Sequence, residues 1–85
     1  MNRASRSPRI RTAIGATLVD SDGGEIQVEI VDLSGSGFKI RCDGSLTAGE
    51  RVILRVSRQD DHAAQIQWVR GFEAGGKFLE PVVSL

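Results

Sequence analysis

The stretch that decides the fold runs from Glu25 to Cys42 and reads EIQVEIVDLSGSGFKIRC. Apolar side chains occupy every second position in each half of it: Ile26, Val28 and Ile30 in the first half, and Phe38, Ile40 and Cys42 in the second. A period of two places one face of a β-strand against a core and the other face in solvent. The stretch therefore predicts two half-buried strands joined by a polar corner.

The corner between these two strands carries its own signal. The alternation shifts by one residue from Val31 to Leu33, and the tetrapeptide SGSG follows at 34–37. A register change beside serine and glycine predicts a β-bulge or a tight turn. Asp32 supplies a carboxylate at this point and Ser34 a hydroxyl, while the glycines let a ligand approach the backbone closely.

The same alternation recurs along the rest of the chain and predicts four more strands. Their inward rows are Ile14, Ala16 and Leu18; Val52, Leu54 and Val56; Ala64, Ile66 and Trp68; and a short row around Phe78. Turns are predicted from polar or glycine-rich segments at 21–24, 43–50, 58–62 and 75–76. Six short strands with such turns favour an all-β, six-stranded antiparallel β-barrel, because closing the sheet buries the inward row and removes exposed edges.

Length and composition agree with one small domain. The chain has 85 residues, of which 40% are hydrophobic and 26% charged, as is typical of a folded globular protein. Cys42 is its single cysteine and His62 its single histidine, so neither an intramolecular disulfide nor a zinc cluster is expected. No run of residues is apolar enough for a membrane helix or a signal peptide, and we expect a cytoplasmic protein without membrane insertion.

Charge is distributed unevenly along the chain. Eleven Lys and Arg residues balance eleven Asp and Glu residues, so the net charge gives no argument for binding nucleic acid. Four of the cations nevertheless lie close together in a segment without acids: Arg3, Arg6, Arg9 and Arg11. We call residues 1–11 the arginine arm. We expect this arm to be flexible and to precede a single domain over 12–85.

The polar residues give no support to an enzymatic function. His62 falls in a predicted turn beside Asp60 and Asp61, where a solvated loop histidine is favoured over a general base held by a carboxylate. Cys42 falls in an inward row, which favours a core residue over a nucleophile. All aromatic residues except Phe72 fall in inward rows, which leaves no exposed pair of rings for stacking on nucleic acid. We expect no catalysis, no metal and no cofactor.

The arginine arm and the corner together suit a guanine nucleotide. A guanidinium donates two parallel hydrogen bonds to O6 and N7 of guanine, and it also pairs with phosphate. The carboxylate of Asp32 can accept hydrogen bonds from N1 and N2 of the same base. From composition alone, a solvated basic tail beside an ordinary serine or Asx turn is favoured over a nucleotide site.

These residues resemble the PilZ domain, a bacterial six-stranded barrel known as a receptor for cyclic di-GMP. Asp32-x-Ser34-x-x-Gly37 matches the family motif D/N-x-S-x-x-G and falls between two predicted strands, as that motif does. Farther along, IQWVR at 66–70 followed by GKFL at 76–79 is similar to the closing hairpin of the family. The similarity runs from Arg9 to Glu80 and implies a barrel of the split-barrel type.

The second family signature, R-x-x-x-R, is imperfect in the arginine arm. Arg9 stands where the second arginine is expected, but Ser5 stands four residues before it and Arg6 is displaced by one position. A slip of one residue reverses the direction of a side chain in an extended segment, whereas the length and mobility of an arginine compensate for part of the displacement. The resemblance is therefore compatible with weakened nucleotide binding and also with the loss of nucleotide binding.

The resemblance implies a stand-alone second-messenger receptor that binds one or two cyclic di-GMP molecules on the outer face of the barrel. The implied site consists of Arg6 and Arg9 at guanine and phosphate, Asp32 and Ser34 at guanine, and Gly37 in the backbone geometry. We expect a monomer that binds cyclic di-GMP and an effector protein but neither DNA nor RNA. The alternative is a PilZ-like protein-interaction module that has lost the nucleotide. The third hypothesis is that the arm binds nucleic acid. It requires an affinity for nucleic acid that falls steeply as the salt concentration rises.

Overall fold

The structure is a computed structural model that describes residues 10–42, 46–57 and 60–80. Within these ranges it contains six strands: β1 (Ile10–Val19), β2 (Glu25–Leu33), β3 (Gly37–Arg41), β4 (Arg51–Ser57), β5 (Asp60–Arg70) and β6 (Glu73–Phe78). The described residues include no helix of the length and apolarity needed to cross a membrane. Because β1 begins at Ile10, the last two residues assigned to the arginine arm belong to this strand, and residues 1–9 lie outside the described ranges.

The strands close into a barrel in the order β1-β2-β3-β6-β5-β4, and β4 pairs back onto β1. Every neighbouring pair is antiparallel. This arrangement confirms the six-stranded antiparallel barrel that the alternation predicts. It also places β3, which follows the polar corner, between β2 and β6.

The core consists largely of the predicted inward rows. Each of the first five strands contributes one large aliphatic side chain that is fully buried: Leu18, Ile30, Ile40, Leu54 and Ile66. The rings of Phe38 and Phe78 meet with their centroids 5.3 Å apart, and Cys42 packs against the core as predicted. No polar or charged side chain is fully buried among the described residues, so the barrel is stabilised mainly by apolar burial.

Two of the inward assignments are wrong. Trp68 is 37% exposed because the pairing of β5 with β6 shifts register between Ile66 and Trp68. A bulge adds one residue to a strand and reverses the faces of the side chains that follow it. Ile14 is 41% exposed, since it lies on the part of β1 that β4 does not pair with.

The predicted turn at 75–76 is also wrong. Gly75 and Gly76 lie inside β6, and the β5–β6 hairpin turns instead at Gly71 and Phe72. Gly71 has a positive φ of 60°, which a glycine adopts without steric penalty. Phe72 is 70% exposed, as predicted.

The β4–β5 hairpin is longer than the polar segment at 58–62 predicts. β5 begins at Asp60, so His62 lies in a strand rather than in a loop, and its ring packs against Phe78 with the centroids 5.6 Å apart. Across the hairpin, Nε of Arg55 donates a 2.9 Å hydrogen bond to Asp61. This bond and the opposite charges lower the pKa of the Asp61 carboxyl and raise the pKa of the Arg55 guanidinium.

Candidate functional site

Ser34 organises the corner between β2 and β3. Its hydroxyl oxygen accepts hydrogen bonds from the backbone N–H groups of Ser36 at 3.3 Å and Gly37 at 3.2 Å. Its own backbone N–H donates to the carbonyl oxygen of Gly37 at 2.9 Å. Serine favours such local side-chain-to-backbone bonds, which compete with the regular strand ladder. Ser34 therefore stabilises the backbone conformation of the corner.

Gly37 allows β3 to approach β6 closely. A β-carbon at this position would lie 2.5 Å from the carbonyl oxygen of Gly76, which belongs to the backbone of the neighbouring strand. No side chain can be accommodated at that distance unless the two strands separate. The backbone of Gly37 does not have a positive φ, so the glycine is required for the close approach and not for a special conformation.

Asp32 places a carboxylate near the end of β2. The residue is half-buried, and its Oδ1 atom is shielded from solvent without a hydrogen-bond partner among the described residues. A buried polar atom left unpaired destabilises a protein by about 1–3 kcal/mol. Asp32 also lines a cavity, so its carboxylate is placed where it can accept hydrogen bonds from a ligand.

The corner forms one wall of a cavity of about 390 Å³, which we call the corner cavity. Sites for small molecules typically have volumes of about 300–1,000 Å³. The walls include Asp32, Ser34, Gly37, Lys39, Trp68 and Gly76. The structure thus brings the three predicted motif residues together and adds a cation and an aromatic ring to them.

Asp32, Lys39 and Trp68 belong to a single row of residues across the sheet, which we call the corner row. Its members are successive Cα partners on β1, β2, β3, β6 and β5: Arg11, Asp32, Lys39, Gly75 and Trp68. Register shifts flank this row in the β1–β2, β2–β3 and β5–β6 pairs. Bulges redirect side chains and are common beside functional sites. In this barrel the bulges bring Asp32, Lys39 and Trp68 to the same level.

Trp68 forms the wall that faces the corner. Its indole lies against Gly75, where a β-carbon would collide with the Nε1 and Cε2 atoms of the ring. The guanidinium carbon of Arg70 lies 5.6 Å from the centroid of the ring, within the range of a cation–π interaction. The indole is therefore held against β6, and its exposed part is available for stacking on a base.

Trp68 and Lys39 are site residues that the sequence did not reveal. For Trp68 a signal existed in Gly75, because a glycine inside a strand often marks a place where a neighbour packs closely. Lys39 carries no comparable signal, since a half-buried strand has a polar residue at every second position.

The arginines predicted for the site, Arg6 and Arg9, lie outside the described residues. The first described residue, Ile10, is the Cα partner of Leu33 at the corner. Leu33 lines the corner cavity, so the described part of the chain begins beside this cavity.

Comparison with known protein families agrees with this geometry. The family model described as the PilZ domain matches residues 3–83, a range that includes most of the arginine arm and all of the strands described. None of the curated proteins matches the chain significantly. Because the family match covers nearly the whole chain and the barrel has the expected architecture, this chain belongs to the PilZ domain family.

Proposed function

We propose that the protein is a bacterial, cytoplasmic receptor for cyclic di-GMP that binds the messenger in the corner cavity and acts as an adaptor for an effector protein. The observation that carries the proposal is that Asp32, whose shielded Oδ1 atom has no partner among the described residues, lines a cavity of small-molecule size. PilZ domains are binding modules rather than enzymes, and the cavity lies at the family motif.

Guanine supplies hydrogen-bond donors for the carboxylate of Asp32, whose Oδ1 atom has no partner among the described residues. Its N1–H and N2–H₂ groups project from one edge of the ring, so the carboxylate of Asp32 can accept hydrogen bonds from both. Adenine has no hydrogen at N1 and no amino group at C2, so it offers the carboxylate of Asp32 a single donor group, the amino group at C6, in place of the two adjacent donors of guanine. The cavity therefore favours guanine over adenine.

The remaining parts of the nucleotide have partners on the same face of the barrel. The indole of Trp68 offers a surface on which a purine can stack, and such stacking contributes about 1–3 kcal/mol per base. Arg9 and Arg6 supply guanidinium groups for the O6 and N7 edge of guanine and for phosphate. Ligand binding would draw the arginine arm against the cavity and change the surface available to the effector.

Replacing Arg9 with alanine is expected to weaken the binding of cyclic di-GMP at least about tenfold, which corresponds to roughly 1.4 kcal/mol. The reason is the loss of a guanidinium next to the corner, where the charged hydrogen bonds to guanine and phosphate form. Isothermal titration calorimetry measures the effect, with the unmodified protein binding in the nanomolar to tens of micromolar range.

The matched control for this titration is Arg51→Ala. Arg51 is an exposed cation on β4 and does not line the corner cavity, so its removal should leave the affinity unchanged. Cyclic di-AMP should bind much more weakly than cyclic di-GMP. Absence of heat from the unmodified protein at high micromolar cyclic di-GMP would reject the proposed receptor function.

The second candidate function is a protein-interaction module that has lost the nucleotide. The observation in its favour is the arginine arm itself, in which no two arginines are separated by four residues as the family signature requires. In this case the barrel and the corner would persist as a scaffold, and the surface used for partner binding would be independent of cyclic di-GMP.

The variant Ser5→Arg distinguishes the two functions, because it restores the R-x-x-x-R spacing with Arg9. If the unmodified protein is a receptor, calorimetry should show at most a modest gain in affinity. If the second function is correct, the unmodified protein should give no heat and Ser5→Arg should create binding. Tight binding by the unmodified protein would exclude the second function.

A further inference from the structure

Lys39 occupies the centre of the corner row and lines the corner cavity, although it lies outside the D-x-S-x-x-G motif. On β3 it is the Cα partner of Asp32 on one side and of Gly75 on the other. Because Gly75 has no side chain, Lys39 is separated from Trp68 only by the bare backbone of β6. Among the described residues, Lys39 is thus the cationic residue that lines the cavity.

The partner of Lys39 is Glu73, and the contact is a loose one. The Nζ atom of Lys39 lies 3.9 Å from Oε1 of Glu73, beyond the distance of a normal hydrogen bond. The other carboxylate oxygen of Glu73 lies 3.8 Å from Arg41, which itself pairs with Glu29 at 3.2 Å. One carboxylate is therefore shared between two cations, and both side chains of the Lys39–Glu73 pair remain more than one-third exposed. An exposed ion pair of this kind is weak, so either side chain can readily bind another partner instead.

We infer that Lys39 binds a phosphate of the ligand in the corner cavity and that Glu73 is the counter-ion which this phosphate displaces. The inference rests on the proposed function and adds to it a binding residue and a residue that opposes binding. A phosphate oxygen accepts a short, charge-assisted hydrogen bond of about 2.7–2.9 Å from an ammonium, which is stronger than the loose contact with Glu73. The negative charge of Asp32 attracts the donor edge of guanine. It repels the phosphate, which is therefore directed toward Lys39.

The expected effects have opposite signs for the two partners. Lys39→Gln should weaken the binding of cyclic di-GMP by about tenfold, because a charged hydrogen bond to phosphate is lost. Glu73→Gln should strengthen binding by about two- to fivefold, because the competing carboxylate of a partly exposed ion pair is removed. Glu25→Gln is the matched control, since Glu25 is an exposed carboxylate that pairs with Arg55, outside the Lys39–Glu73–Arg41 network, and it should leave the affinity unchanged.

A double-mutant cycle measured by calorimetry on the full chain tests whether Glu73 acts through Lys39. If it does, adding Glu73→Gln to the Lys39→Gln variant should give no further gain in affinity. If the gain in affinity persists in the double variant, Glu73 repels the ligand directly rather than through Lys39. This result would overturn the role assigned to Glu73. Thermal melting of each variant establishes that it is folded.

The results separate this inference from the proposed function. If the unmodified protein does not bind cyclic di-GMP, both fail together. If the unmodified protein binds and folded Lys39→Gln binds with the same affinity, the inference fails while the receptor function stands. Retention of affinity within about threefold by Lys39→Arg, beside the tenfold loss in Lys39→Gln, would support charge as the property that the ligand recognises.

Discussion

Replacing Asp32 with alanine is expected to weaken the binding of cyclic di-GMP by about 100-fold and to raise the free energy of unfolding by about 1 kcal/mol. The affinity falls because two charged hydrogen bonds to the donor edge of guanine are lost. The stability rises because the Oδ1 atom is shielded and has no partner among the described residues, so its removal relieves a desolvation penalty. Calorimetry measures the first effect, and urea unfolding of the ligand-free protein measures the second.

The control for this prediction is Asp61→Ala. Asp61 is exposed and hydrogen-bonded to Arg55 at 2.9 Å, away from the corner cavity. Its removal should leave the affinity unchanged and should not raise the stability. If Asp32→Ala destabilises the protein and binds the nucleotide as tightly as the unmodified protein does, then Asp32 is a structural residue and the site is misassigned.

Replacing Gly37 with alanine is expected to destabilise the barrel by about 3 kcal/mol, because overpacking against fixed backbone is costly. The new β-carbon would lie 2.5 Å from the carbonyl oxygen of Gly76, and β3 can relieve the clash only by moving away from β6. In a domain of this size, such a loss corresponds to a fall in the melting temperature of about 12–24 °C, measurable by circular dichroism. Binding should fall as well, because the two strands form the wall of the corner cavity.

Gly15→Ala is the matched substitution for Gly37→Ala. Gly15 lies on β1 without a positive φ, and no atom lies within 4 Å of the position that its β-carbon would occupy. Alanine at such a position should be neutral or should stabilise the protein by up to about 1 kcal/mol through the unfolded state. Equal melting temperatures for the two variants would contradict the close approach of β3 and β6.

The barrel could be predicted from the sequence because its core obeys a period of two. Rows such as Ile26, Val28 and Ile30 identify both a strand and its buried face without knowledge of the partner strands. The position of His62 could not be predicted in the same way. A run of polar residues is equally compatible with a loop and with the outer face of a hairpin, and only the pairing of β4 with β5 distinguishes the two.

The candidate site could be predicted only in part, for a related reason. Asp32, Ser34 and Gly37 are found because a local motif defines them, and the structure places all three in one cavity wall. The alternation predicts Trp68 in the core, because the sequence does not mark the register shift in β5, which depends on the pairing with β6. The contribution of Lys39 depends on neighbours from two other strands, and no local pattern encodes it.

The most direct test of the central claim is a titration of the isotope-labelled full chain with cyclic di-GMP, followed by nuclear magnetic resonance. The amide signals of residues 32–37 and 3–11 should shift together with the indole N–H signal of Trp68, which is assigned without ambiguity because the chain has one tryptophan. The amide signals of β4 should remain unchanged. Saturation with nucleotide that leaves residues 32–37 and Trp68 unshifted would contradict the assignment of the corner cavity as the binding site.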